Sequence, residues 1–132
     1  MNTLQLLELK CKKATRRTDE VYFKIYTDSS ENSLVVPSNP THRHTWHISR
    51  EEDISFQPKS RLKDRTEISG SNLTFSFNKE LTLELFDYDR GSKSDNIAVT
   101  SFVVSEGLRS SPIALTAISD DCEYEITFKY LD

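Results

Sequence analysis

The segment from Leu81 to Val104, LTLELFDYDRGSKSDNIAVTSFVV, constrains the fold more than any other. Leu81, Leu83 and Leu85 alternate with Thr82, Glu84 and Phe86, the two-residue period of a strand with one face on a core. The next residues, DYDRGSKSD, set Asp87 and Asp89 close together and Asp95 a little further on, with Gly91, Ser92 and Ser94 between them to let the backbone turn. If this loop folds back, Asp95 returns to Asp87 and Asp89. Three convergent carboxylates repel one another unless a hard cation such as Ca2+ offsets them, as it does in oxygen-rich sites. A solvated, Asp-rich hairpin loop is the plainer account of the same residues. Beyond it, Ile97, Val99, Ser101 and Val103 run opposite Ala98, Thr100, Phe102 and Val104, giving a second strand.

The same period recurs along the chain. Leu7, Leu9 and Cys11 alternate with Glu8, Lys10 and Lys12; Val21, Phe23 and Ile25 alternate with Tyr22, Lys24 and Tyr26. Leu73, Phe75 and Phe77 share one face of a later strand, and Tyr124, Ile126, Phe128 and Tyr130 share one face of the last. Shorter strands are expected at Leu34 to Val36, on either side of Ser49 to Asp53 (with Trp46, Ile48, Ile54 and Phe56 inward), and at Ile113 to Ile118. Turn formers punctuate these runs and helical periodicity is scarce. The expectation is a single domain over residues 1–132, an all-β antiparallel sandwich of about eight strands.

Hydrophobic residues make up 36% of the 132 and charged residues 29%, the balance of a well-solvated globular domain. A net charge of −4 argues against nucleic acid as a partner, because that needs an overall or strongly clustered positive field. No apolar run approaches the ~20 residues that span a bilayer. The opening MNTLQLLELK lacks the basic start and cleavage site of a signal peptide. A cytoplasmic or peripheral membrane location is expected, with secretion by another route left open. Cys11 and Cys122 read first as buried small side chains, and as a disulfide only if their strands are neighbours. No nucleophile elbow, phosphate loop or Cys/His nucleophile arrangement appears, so the chain is not expected to be an enzyme.

Two polar groupings remain. Lys59, Arg61, Lys63 and Arg65 alternate strictly, and in an extended segment all four cations share a face. Such a row suits acidic neighbours or anionic ligands, and serves equally as a charged guard on an edge strand. His42, His44 and His47 invite a metal reading, but their spacing matches no zinc pattern. Surface histidines near a packed tryptophan are the simpler account.

The segment Asp87-Tyr88-Asp89-Arg90, followed by Ser92-Lys93-Ser94-Asp95, resembles the third calcium-binding loop of C2 domains, where a strand ends in Asp-aromatic-Asp and another Asp precedes an apolar strand. Thr18-Asp19-Glu20-Val21-Tyr22-Phe23-Lys24-Ile25 is similar to the stretch that follows the first calcium loop of that family, with its proline replaced and one residue added. The basic row before a Phe-rich strand is also where C2 domains carry lysines. The resemblance implies a C2-like sandwich in the permuted topology, with the family's opening strand moved to the other end.

It further implies Ca2+ held by Asp19, Asp87, Asp89 and Asp95 with a main-chain carbonyl near Tyr88, and docking to an anionic phospholipid membrane through the ion. Lys59, Arg61, Lys63 and Arg65 are then the candidate head-group contacts. The chain departs from the family in one respect that bears on function. Lys12 to Ala14 has no carboxylate where the first loop normally supplies one, and Arg16-Arg17 lies close to the site. Two outcomes follow, a reduced calcium site or one in which arginine charge replaces the ion. In the second case the domain is a calcium-independent protein-protein interaction module.

Overall fold

A computed structural model describes residues 2–28, 32–88, 112–119 and 121–131, and the backbone of residues 95–103. Twelve strands are described: β1 (Asn2–Lys13), β2 (Thr18–Thr27), β3 (Leu34–Val36), β4 (Trp46–Ser49), β5 (Asp53–Ser55), β6 (Lys59–Arg61), β7 (Glu67–Ser69), β8 (Thr74–Phe77), β9 (Glu80–Asp87), β10 (Asp95–Val103), β11 (Ile113–Ile118) and β12 (Glu123–Tyr130). One 3-10 turn, Gly70–Leu73, leads into β8.

Two antiparallel five-stranded sheets face each other. One runs β11-β12-β1-β5 with β8 also on β1; the other runs β10-β9-β2-β3 with β4 also on β2; β6 and β7 form a separate hairpin. β1 and β12 are neighbours, the pairing expected when the family's opening strand sits at the end of the chain. The strand count exceeds the expected eight because three-residue strands flank the main ones.

Period-two burial builds the core. Val21, Phe23 and Ile25 of β2 meet Leu81, Leu83 and Leu85 of β9 on the inner face of one sheet, while Leu73, Phe75, Phe77, Tyr124, Ile126 and Phe128 close the other. Phe23, Trp46 and Phe56 form the aromatic centre, with ring centroids 5.3 to 6.1 Å apart. The indole N–H of Trp46 donates to Ser60 Oγ at 3.0 Å, so its one polar atom is satisfied.

Two expectations are corrected. Leu7 is not on the inner face of β1: a register shift between Leu6 and Glu8 turns the strand, so Leu4 and Leu6 point inward before it and Leu9 and Cys11 after it. The basic row is not one strand face either. Lys59 and Arg61 lie on β6, but the chain turns at Lys63 and Asp64, and Arg65 takes a left-handed φ of 74°.

Asp64 organises that turn. Its Oδ1 accepts from the Thr66 N–H at 2.9 Å and its Oδ2 lies 2.8 Å from His44 Nδ1. The Thr66 N–H first, and His44 second, hold the carboxyl down at about 2. A depressed carboxylate adds stability that is complete above its ordinary value of 3.8 and is lost as pH falls through about 2. The melting temperature should therefore fall over that window, and Asp64→Asn should reduce the fall; an identical pH profile in the variant would exclude the assignment.

Cys11 and Cys122 are both buried and are not joined by a disulfide. Burial pushes both thiols up, which disfavours the thiolate form, and both pack in the core.

Candidate functional site

The polar cluster lies at one end of the sandwich, where β1 passes into β2 and β9 runs out toward β10. Strand period decides which way each carboxylate points. Asp19 shares the inner face of β2 with Val21 and Phe23 and is completely buried, whereas Glu20 is on the opposite side. On β9, Asp87 follows the inward row of Leu83 and Leu85 and is also buried.

Asp19 is held by three donors. The Tyr124 hydroxyl donates to Oδ2 at 2.5 Å, the Thr15 hydroxyl to Oδ1 at 2.5 Å, and the Thr15 N–H to Oδ2 at 3.1 Å. Burial, and then the bond to Asp19, push the Tyr124 hydroxyl far above the ordinary tyrosine value, which keeps it a donor. Asp19 therefore ties β2 to β12 across the two sheets.

Asp87 is held by Arg16. The guanidinium lies on the carboxylate with Nε 3.0 Å from Oδ2 and Nη2 3.0 Å from Oδ1, the forked geometry that makes arginine a strong carboxylate partner. Nη2 also reaches Glu20 Oε2 at 3.2 Å and the Tyr88 carbonyl at 3.2 Å. The Glu20 N–H adds a bond to Asp87 Oδ1 at 2.8 Å. Burial nevertheless leaves Asp87 above the ordinary carboxylate range, against the opposing pull of Glu20 N–H and Arg16. One guanidinium thus serves Asp87, Glu20 and the Tyr88 carbonyl together.

Of the sequence-derived site residues, Asp87 and Asp95 are Cα partners in the β9–β10 ladder, so the return of Asp95 to Asp87 holds at the level of the backbone. Asp89 lies outside the described residues, as do the side-chain contacts of Asp95. In the basic segment, Lys59 is 2.6 Å and Arg61 3.7 Å from the Glu67 carboxylate. Lys63 and Arg65 are exposed and have no ion pair among the described residues.

Sequence reasoning missed a second grouping. β2 and β4 pair so that Glu20 and His47 are Cα partners on the outer face, and the loop before β4 brings His42 over them. His42 Nδ1 contacts Glu20 Oε1, and His47 Nε2 is 3.8 Å from the same oxygen. His44 stands apart with Asp64. Spacing within the histidine segment could not show this grouping, because its third member comes from a strand well before them in the chain.

No protein-family model matches the chain, and no curated protein matches it in sequence. Among solved structures, a C2 domain of a plant extended synaptotagmin 1 superimposes over 98% of this chain and 92% of its own, at 10% identity and a TM-score of 0.53. A Drosophila C2-DSL-EGF1 structure is similar over 98% of this chain and 67% of its own, at 10% identity and a TM-score of 0.46. Human GIVD cytosolic phospholipase A2 is similar over 98% of this chain and 17% of its own, at 16% identity and a TM-score of 0.44. Among the described residues no helix is long and apolar enough to cross a membrane. The two facing antiparallel sheets and the superposition on the plant synaptotagmin domain give the chain a C2-like β-sandwich fold.

Proposed function

We propose that the chain is a calcium-independent C2-like interaction module that engages an acidic protein segment. The Arg16 guanidinium on Asp87 carries this reading, because it neutralises the carboxylate and takes up the Tyr88 carbonyl, the oxygens expected to hold a loop-bound Ca2+. Asp19 supports it too: its two carboxylate oxygens already accept from the Thr15 N–H, the Thr15 hydroxyl and the Tyr124 hydroxyl. Arg61, Lys63 and Arg65 line one shallow hollow beside His47 and supply cations to an acidic partner. Lys59 contributes less, since Glu67 already neutralises it.

The test is thermal melting of the purified chain in EDTA and across a Ca2+ titration, with Mg2+ as control. The expected result is the same melting temperature throughout, in the parent chain and in Asp89→Asn. A Ca2+-specific rise that Asp89→Asn removes would overturn the reading in favour of a calcium-binding module docking to anionic lipid.

A further inference from the structure

The geometry points to a transition-metal site, of the kind that takes Zn2+, formed by Glu20, His42 and His47 on the outer face of the β2–β4 pair. One ligand atom from each residue lies within 4.8 Å of the others. In tetrahedral coordination at ~2.1 Å from the metal, ligand atoms are ~3.4 Å apart. The 3.8 Å between His47 Nε2 and Glu20 Oε1 is already close to that spacing. The site needs the His42 ring to withdraw from Glu20 Oε1, which it now contacts directly, and His47 Nε2 to release the His42 carbonyl. His42 sits in a loop with its side chain 45% exposed, so this movement disturbs no strand.

The surroundings are compatible with binding. His47 Nε2 now lies 2.7 Å from the His42 carbonyl, and metal binding would replace that bond. The carbonyl would not be orphaned, because the buried Thr45 hydroxyl also donates to it at 3.2 Å. Carboxylates outnumber cations here even though Lys63 lines the same hollow as Glu20, His42 and His47. Asp19, Glu20 and Asp87 are buried carboxylates at this end of the sandwich, and among the described residues Arg16 is the one arginine or lysine bonded to any of them. Two imidazoles and one carboxylate select borderline ions such as Zn2+ over Ca2+ or Mg2+, which prefer all-oxygen sites. Three protein ligands leave the fourth position to water.

This site does not depend on the calcium-independent reading, and its test uses a different ion. Isothermal titration of the full chain with Zn2+ alone should give one site. Co2+ should produce the visible d–d absorption of a low-coordinate nitrogen/oxygen complex. His42→Ala, His47→Ala and Glu20→Gln should each weaken Zn2+ binding by at least about tenfold, roughly the smallest loss that even an outer-shell change produces. His44→Ala, which touches only the Asp64 side of the loop, should leave it unchanged. If His47→Ala does not fold, His42→Ala carries the test, because its side chain is in a loop and not in a strand. Absence of Zn2+ binding to the parent chain, or binding that survives both His42→Ala and Glu20→Gln, overturns the proposal.

Discussion

Asp19→Ala should lower the stability of the domain by about 3 kcal/mol in the absence of any metal, since the substitution orphans donors that each cost about 1–3 kcal/mol when buried without a partner. It removes a fully buried acceptor from the Tyr124 hydroxyl, the Thr15 hydroxyl and the Thr15 N–H. Thr15 is near the surface and water can reach it, so the Tyr124 hydroxyl dominates. Loss of the buried charge offsets part of this, because a carboxylate in a low-dielectric interior is itself costly.

The coupling is the sharper measurement. Tyr124→Phe leaves the carboxylate one donor short, whereas the Asp19→Ala/Tyr124→Phe double variant removes both partners together. Its loss should be smaller than the sum of the single losses by about 1–3 kcal/mol. Chemical denaturation of the four proteins gives the cycle. Additive losses would mean that Asp19 does not tie the two sheets together. A residue whose task is to hold Ca2+ would behave oppositely, costing little stability in EDTA and much ion affinity.

This inward role was partly legible in the sequence. Asp19 has the parity of Val21 and Phe23, and strand period alone places it on the core side. The resemblance to the calcium-loop pattern gave the same residue a ligand role, and its carboxylate bonds both to Thr15 in the β1–β2 loop and to Tyr124 of β12. Most strand faces were legible for the same reason, since apolar residues at every second position leave one way to bury them. The inversion at Leu7 was not, because the bulge is set by pairing with β12 at the far end of the chain. The break in the basic row had a local signal in Asp64, a residue suited to accept from the backbone N–H two positions on, but strict cation alternation outweighed it. The convergence of Glu20 with His42 and His47 depends on β2–β4 register, which no spacing within one segment reveals.

Arg16→Ala should have two linked effects. It removes a forked, charge-assisted pair from Asp87 together with the bonds to Glu20 and the Tyr88 carbonyl. Hydrogen bonds to charged groups contribute about 1.5–3 kcal/mol, and the half-exposed Arg16 side chain puts the expected loss near the lower end. Arg16→Lys should recover part of it, since an ammonium restores charge but not the fork. The second effect concerns ion binding. Without the guanidinium, Asp87 and Glu20 retain their carboxylates with no arginine between them, and Asp95 is the backbone partner of Asp87 in the adjoining strand. Ca2+ should then raise the melting temperature of Arg16→Ala and leave that of the parent chain unchanged. At about a hundredfold excess over Kd, a ligand specific to the folded state adds about 2.7 kcal/mol, enough to reverse the loss. If the parent chain already responds to Ca2+ and Arg16→Ala responds no more strongly, arginine does not stand in for the ion. If the variant alone responds, the same carboxylate end of the sandwich takes either a guanidinium or a metal ion, and Arg16 decides which.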